Sequence, residues 1–364
     1  MPKQNISAIK IAAVYIGTVV GAGFATGQEI LQFFVFFGRW GLWGILLSTA
    51  LFVLFGVLTM KLGLALAATS HIEIINICGG KGFRVVMDAL IMLSLFGALT
   101  AMMAGTGALF EQQFGLTPAL GNLLMGILTA ITVLAGLRGV IRAISAVVPF
   151  LLVSVLAISI FTLIHGAGGN AATAAAEMRG GHGLMGNWFT AALLYASYNI
   201  ILSVSVLAPL GGTARQERTV LWGGALGGLG LGAASMMIYF ALSAGNANGA
   251  NIIELEVPLL YLAGQIAPLA AAGFVIVLLA EVYTTAVSAL YGFSARLNDD
   301  KRGKHRTRYV IIGTSIAAFF ASLFGFSNLV RYLYPLQGYG GFLLLAALLY
   351  AKLKEKEWAK RRCL

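Results

Sequence analysis

The chain has 364 residues, of which 59% are hydrophobic and only 10% charged, and its mean hydropathy is +0.89. Soluble domains carry roughly 25% charged residues, so a water-soluble enzyme or binding module is excluded. The net charge of +11 does not point to nucleic acid, because the basic residues are spread between apolar runs rather than gathered into one patch.

Ten apolar runs follow one another, at 7–36, 41–66, 83–110, 118–137, 141–165, 186–210, 217–243, 267–295, 308–325 and 328–351. A helix crosses a bilayer with about 20 such residues, so the pattern predicts an all-α polytopic membrane protein of ten transmembrane helices.

The first run holds the most informative stretch, Val19-Val20-Gly21-Ala22-Gly23-Phe24-Ala25-Thr26-Gly27-Gln28-Glu29. Glycine weakens a helix by about 1 kcal/mol relative to alanine, and three glycines in so short a stretch invite the helix to open. Opened backbone survives at membrane depth only under a cover of protein or beside a polar cavity. The stretch therefore predicts a solute site. The backbone of Gly21, Ala22, Gly23, Phe24, Ala25, Thr26 and Gly27 would face an anionic group such as a carboxylate, and the carbonyls ending the preceding half-helix would face a cation. The alternative is close helix packing through Gly23 and Gly27. Gln28 and Glu29, poor choices for a lipid-facing surface, favour the site. A dinucleotide loop beginning at Gly21 and Gly23 is excluded, because an apolar helix precedes it and no strand–helix–strand unit follows.

In the third run Asp88 sits near one end, and Ser94, Thr100 and Thr106 either line a cavity or bond between helices. The Gly/Ala-rich segment 166–183 separates five runs from five. It divides the chain into a first five-helix repeat (1–165), an extracytoplasmic linker (166–183) and a second repeat with a basic cytoplasmic tail (184–364). An odd number of spans per half makes any shared fold an inverted repeat, with the first span of each half broken. In the sixth run, Tyr195-Ala196-Ser197-Tyr198-Asn199 is costly in lipid unless it faces a polar interior. Tyr195, Ser197, Tyr198 and Asn199 are thus candidates for the opposite wall of the solute site. No glycine interrupts this cluster, so the sequence argues for a break less strongly here.

In the seventh run Gly223, Gly224, Gly227, Gly228, Gly230 and Gly232 read as a tight packing surface. Residues 244–266 form either an outer lid or a plain mobile loop. The eighth run carries Glu281, and at helical spacing Glu281, Thr284, Thr285 and Ser288 share one face. A carboxylate at mid-span is a functional candidate by default, here as a proton carrier, cation ligand or solute contact. The alternative is interhelical hydrogen bonding with Glu281 paired to a buried donor. Around Pro335 in the last run, Arg331, Tyr332, Tyr334 and Gln337 form part of an outer gate or anchor the interface.

With the N-terminus placed inside and sides alternating, only Arg39, Arg179 and Arg331 of the 24 basic residues fall outside. This is the bias of the positive-inside rule, and it places both termini in the cytoplasm. The Lys301–Arg308 cluster and the Lys352–Arg362 tail would meet anionic lipid head groups. Cys78 and Cys363 imply no disulfide framework, and no nucleophile–base constellation marks an enzyme.

The first-run motif, from Val20 to Ile30, together with Tyr195-Ala196-Ser197-Tyr198-Asn199, resembles the bacterial YkvI-type membrane proteins. These are grouped with amino-acid permeases of the amino acid–polyamine–organocation superfamily. The resemblance covers nearly the whole chain. It implies a LeuT-type five-plus-five inverted repeat with broken first and sixth helices. Gly17-Thr18-Val19-Val20-Gly21-Ala22-Gly23 further resembles the first helix of sodium-coupled LeuT-like symporters. That likeness implies a sodium ion held by the carbonyls of Gly17, Val20 and Glu281 with the hydroxyls of Thr284 and Thr285. A second sodium ion is not implied, because Phe24 stands where those symporters have asparagine. The Glu281 side chain is itself a departure from the family pattern and leaves proton coupling open. The expectation is a cation-coupled secondary transporter of small organic solutes, amino acids by resemblance, in a bacterial cytoplasmic membrane. Bound Na⁺ is its one expected ligand besides the solute. The alternative is an amino-acid sensor on the same fold.

Overall fold

A computed structural model describes residues 6–68, 70–78, 81–135, 140–165, 184–245, 252, 255–297 and 304–362. Every regular element among them is helical. The first run becomes α1 (Ala8–Val19), α2 (Ala22–Ala25) and α3 (Gln28–Phe33). Then follow α4 (Arg39–Leu66), the short α5 (Ile72–Cys78), α6 (Lys81–Phe114), α7 (Pro118–Ala135) and α8 (Val140–His165). The second half comprises α9 (Trp188–Thr213), α10 (Glu217–Gly245), α11 (Pro258–Ile266), α12 (Pro268–Leu297) and α13 (Lys304–Ser322). It ends with α14 (Phe326–Asn328), a π-helical turn (Leu329–Leu333) and α15 (Tyr334–Arg362).

Seven of these stretches are long and apolar enough to cross a membrane, the last counted from Phe326 to Leu353. The shorter apolar helices Ala8–Val19, Gln28–Phe37, Pro149–His165 and Thr307–Ser322 fall in the first, fifth and ninth runs. The predicted linker 166–183 lies outside the described residues.

The first span breaks where its sequence weakens it. Ser7 caps α1 by accepting the Lys10 amide at 3.3 Å. At the other end Val20 turns to ψ 110° and Gly21 is fully extended. One helical turn forms, and the chain breaks again at Gly27, whose φ of 82° is left-handed and favours glycine. Thr26 stabilises this second break: its hydroxyl donates to the Gly23 carbonyl at 3.0 Å and accepts the Gln28 amide at 3.3 Å.

The sixth span corrects the expectation of a second broken helix, because α9 runs unbroken from Trp188 to Thr213. An Asn187–Thr190 capping box starts it. The polar residues that looked like a break are absorbed by the helix's own backbone. Asn199 donates to the Tyr195 carbonyl at 3.0 Å and Ser203 to the Ile200 carbonyl at 3.4 Å. No glycine precedes Gly211 in the helix, and Pro209 lies in its last turns, away from the polar cluster.

Lipid supplies no hydrophobic drive between helices, which must instead approach closely through small residues. The glycines of α10 do this on two faces. Gly223 and Gly227 meet Ile11 and Tyr15 of α1, while Gly224, Gly228 and Gly232 meet Val57, Val53 and Thr49 of α4. Tyr15 completes the junction by donating its phenol proton to the Phe52 carbonyl at 2.9 Å. The buried α9 packs between α4 and α15.

Gly228→Leu pushes a side chain into the α4 backbone at Val53, and overpacking of this kind costs about 1–3 kcal/mol. Thermal unfolding in detergent checks this. Gly313→Ala, inside α13 at a position with nothing within 4 Å of an added methyl, does not lower the midpoint and raises it if anything, since alanine favours the helix.

Candidate functional site

The break in the first span opens onto a cavity of about 110 Å³. Gly17 to Gly23 and Glu29 form one side, and Tyr198 and Asn199 of α9 form another. Glu281 and Thr285 of α12, Tyr334 and Gln337 of α15, and Ala98 and Met102 of α6 complete it. A second cavity of about 480 Å³ shares Gly17, Thr18, Ala98, Leu202, Glu281 and Thr285 with the first. It extends past Ser94, Thr284 and Ser288 to His71 and Arg296. A further apolar groove of about 520 Å³ lies between α4 and α10, edged by Lys61 and Lys352. It contains none of the unpartnered buried groups described next.

The small cavity gathers polar atoms that lack partners. Oε2 of Glu29, Oε2 of Glu281, the Tyr198 phenol oxygen and Nε2 of Gln337 are all buried without a hydrogen bond. A buried polar group left unsatisfied costs about 1–3 kcal/mol, so this cluster calls for a partner such as a ligand, an ion or water.

The predicted cation residues meet where the two cavities join. Gly17, Val20, Glu281 and Thr285 line the smaller one, and Gly17, Glu281, Thr284 and Thr285 the larger. A helix leaves its last four carbonyls without an intrahelical amide. Here the Val20 amide is the last to bond back, to the Ile16 carbonyl at 2.8 Å. On α12 the Thr284 hydroxyl donates to the Glu281 carbonyl at 3.0 Å, and that of Thr285 to Glu281 Oε1 at 3.4 Å. Carbonyl, hydroxyl and carboxylate oxygens suit a hard cation. Among the described residues no group of three or more His, Cys, Asp and Glu gathers to hold a metal.

The predicted solute residues divide. Gly21, Ala22, Gly23, Tyr198 and Asn199 are in the cavity walls, whereas Phe24, Ala25, Thr26, Gly27, Tyr195 and Ser197 are not. Ser197 donates to the Gly338 carbonyl and thereby joins α9 to α15. Tyr195 lies in an aromatic group with Phe33, Phe34 and Phe52. Gly27 supports the Leu259 side chain.

Glu29 was not among the predicted site residues, yet it is central. Its side chain folds back onto Gly23, where an added β-carbon would collide with the carboxylate and Cγ. The Phe24 amide points at this carboxylate, as do the phenols of Tyr198 and Tyr195. Neither phenol closes a hydrogen bond of ordinary geometry. The signal available in the sequence was a carboxylate placed directly after a glycine break. Tyr334 and Gln337 also reach the cavity, because Pro335 has no amide to bond back and the preceding turn widens to a π-helix. Their neighbour Arg331 instead lies over the Tyr332 ring at 5.5 Å. Of the third-span hydroxyls, Ser94 lines the larger cavity. Thr100 and Thr106 bond to carbonyls of their own helix.

One side of the site is covered. α11 lies over the break, with the Leu259 amide donating to the Thr26 carbonyl at 3.0 Å. Gln112 grips Val257 twice, at 3.0 and 3.1 Å. Gln28 bonds Ser327, and the Ser327 amide reaches Glu256 at 3.5 Å. Burial raises the Glu256 carboxyl above its ordinary pKa. At the other end of the larger cavity Arg296 pairs with Asp88 and contacts His71. Burial, and then the Arg296 charge, lower the His71 pKa to about 4.

This arrangement, a broken first helix facing a buried cavity within an all-helical bundle, is that of the LeuT-fold membrane proteins. Mhp1 in its inward-facing conformation superposes with a TM-score of 0.64 at 14% identity, covering 99% of this chain and 92% of that one. A Na⁺-coupled sialic acid symporter gives 0.63 at 16% identity, covering 94% and 79%. MhsT in complex with L-phenylalanine gives 0.58 at 20% identity, covering 94% and 89%. No family model matches the chain. The membrane protein YkvI of Bacillus subtilis (strain 168) is 30% identical over 353 residues, 97% of this chain and 98% of that protein. YyaD of the same organism is 27% identical over 343 residues, 94% and 96% of the two chains. The chain belongs to the YkvI family of multi-pass membrane proteins.

Gly23→Ala displaces the Glu29 side chain and destabilises the protein by about 1–3 kcal/mol, as overpacking does. In a Glu29→Ala background the same substitution costs little, and a double-mutant cycle by thermal unfolding measures the difference. A second prediction concerns His71, whose folded pKa is depressed. Below its unfolded value of 6.5 the unfolded chain takes up a proton that the folded chain refuses. Stability is therefore lost as pH falls from about 6.5 toward 4, and His71→Asn flattens that part of a pH–stability curve.

Proposed function

We propose that this protein is a secondary active transporter that moves small organic solutes by alternating access, coupled to a cation. The observation that carries the reading is the junction of the two cavities. There the carbonyl end of α1 and the Glu281–Thr285 turn of α12 meet beside the solute cavity. A cation bound between α1 and α12 favours the arrangement that holds them together, and its release lets them part. A ligand biases such an equilibrium only through contacts that differ between the two states, and an ion bridging two helices provides that difference.

Na⁺ fits the oxygen set of Gly17, Val20, Glu281, Thr284 and Thr285, and the Na⁺-coupled sialic acid symporter of similar fold supports that choice. Glu281 is the candidate for proton coupling. The covered side formed by α11 and the larger cavity running to Arg296 describe an inward-facing arrangement, given the basic segments in the cytoplasm. The proposed location is the bacterial cytoplasmic membrane, with both termini inside and anionic lipid at the basic clusters. Family resemblance and the likeness to MhsT, solved with L-phenylalanine, support amino acids as the first solutes to test.

Proteoliposomes test this. Uptake of the solute is saturable and requires an inward Na⁺ or H⁺ gradient. Thr285→Val raises the Na⁺ concentration for half-maximal uptake about tenfold, the equivalent of losing one ligand contact of about 1.4 kcal/mol. Flux that ignores both gradients, or no flux with any amino acid or amine, counts against the proposal.

A further inference from the structure

The sequence alone places a solute carboxylate at the start of the half-helix following Gly21. In the structure the chain already supplies a carboxylate there. Glu29 lies on Gly23 so closely that no β-carbon fits between them, and the Phe24 amide is directed at it. A solute carboxylate would have to displace Glu29 or sit beside it.

Nothing in the small cavity would pair a second anion. Glu281 shares the same cavity, of about 110 Å³, and no Lys, Arg or His is among the lining residues. The bases of the adjoining cavity, His71 and Arg296, are at its far end, and Arg296 is already paired with Asp88. A buried anion left without a cationic partner is costly. A positive ligand relieves the same site. Oε2 of Glu29 has no partner, and the residue is only 4% exposed. The rings of Tyr198 and Tyr334 stand in the cavity wall with centroids 5.0 Å apart. A carboxylate beside aromatic faces is the chemistry that holds an ammonium group.

We propose that the solute is a small organic amine, bound as its ammonium ion and without a carboxylate next to the amino group. Glu29 holds the ammonium against Tyr198 and Tyr334, and Glu29 itself takes the place of the carboxylate an amino acid would bring. Glu281 remains for the coupling cation, so each positive ligand has one carboxylate. The larger cavity has room for the amine's carbon chain. This inference rests on the transporter reading for the existence of a moved solute, but its binding chemistry is tested separately.

The experiment uses the purified full-length protein in Na⁺ buffer at fixed neutral pH. Matched pairs are compared by thermal shift and calorimetry: isoamylamine with leucine, phenethylamine with phenylalanine, and cadaverine with lysine. At least one amine binds ten times or more tightly than its amino acid. Glu29→Gln weakens that amine tenfold or more. Glu29→Ala frees the half-helix amides and shifts preference toward the amino acid. The wild-type comparison stands even if the variants fold poorly. Amino acids binding as well as or better than their amines overturn the inference, while gradient-driven uptake of those amino acids would leave the transporter reading intact. Binding of neither partner in any pair also overturns it. Amine binding without gradient-driven uptake supports the site and counts against transport.

Discussion

The contact between Glu29 and Gly23 is the constraint around which the centre of this molecule is organised. A carboxylate at membrane depth is costly unless it finds donors, and Glu29 turns to the backbone of its own broken helix. Only a glycine at position 23 leaves room for it. The break at Val20–Gly21 supplies the unpaired amides that attract it, and the left-handed Gly27 turns α3 so that it can reach them. The aromatic residues Tyr195, Tyr198 and Tyr334 close around this carboxylate and exclude lipid. Solute recognition and the geometry of the first helix are therefore one problem.

Rigidity elsewhere makes such a break tolerable. The two glycine faces of α10 hold α1 against α4 on backbone-to-side-chain contacts rather than on large interdigitating groups. Gly63, Gly211 and Gly212 do the same between α4, α9 and the chain around Ala68. Packing through small residues provides dispersion contacts over long lengths, which is the main attraction left to helices in lipid. Against that frame α2 and α3 form a short segment between two breaks. It is connected to α11 through Thr26 and Leu259, and the end of α1 that precedes it lies beside Thr285 of α12.

These two connections link the ends of the site. Gln28 reaches Ser327 beside the lid, and Gly17 and Val20 lie beside Thr285 at the opposite end of the same broken helix. Occupying either end changes what the intervening turn must do. In the proposed alternating-access cycle this would couple a cation to a solute, since binding energy at one end biases the conformation sensed at the other.

The sequence by itself determined the membrane class, the apolar runs, the break in the first span and the packing role of the α10 glycines, because lipid imposes strict length and backbone rules. It also put Glu281, Thr284, Thr285 and Ser288 on one face, which follows from helical period alone. Tertiary structure decided the rest. It kept α9 whole, packed between α4 and α15 with Asn199 bonding the Tyr195 carbonyl and Ser203 that of Ile200, a choice that the Tyr-Ala-Ser-Tyr-Asn pattern leaves open. It removed Ser197 from the site by placing it against Gly338, and it brought in Tyr334 and Gln337 through a π-turn. Above all it turned Glu29 inward onto Gly23. A side chain's direction depends on which neighbours surround it, and that information lies in the packing of distant segments rather than in the local residue pattern.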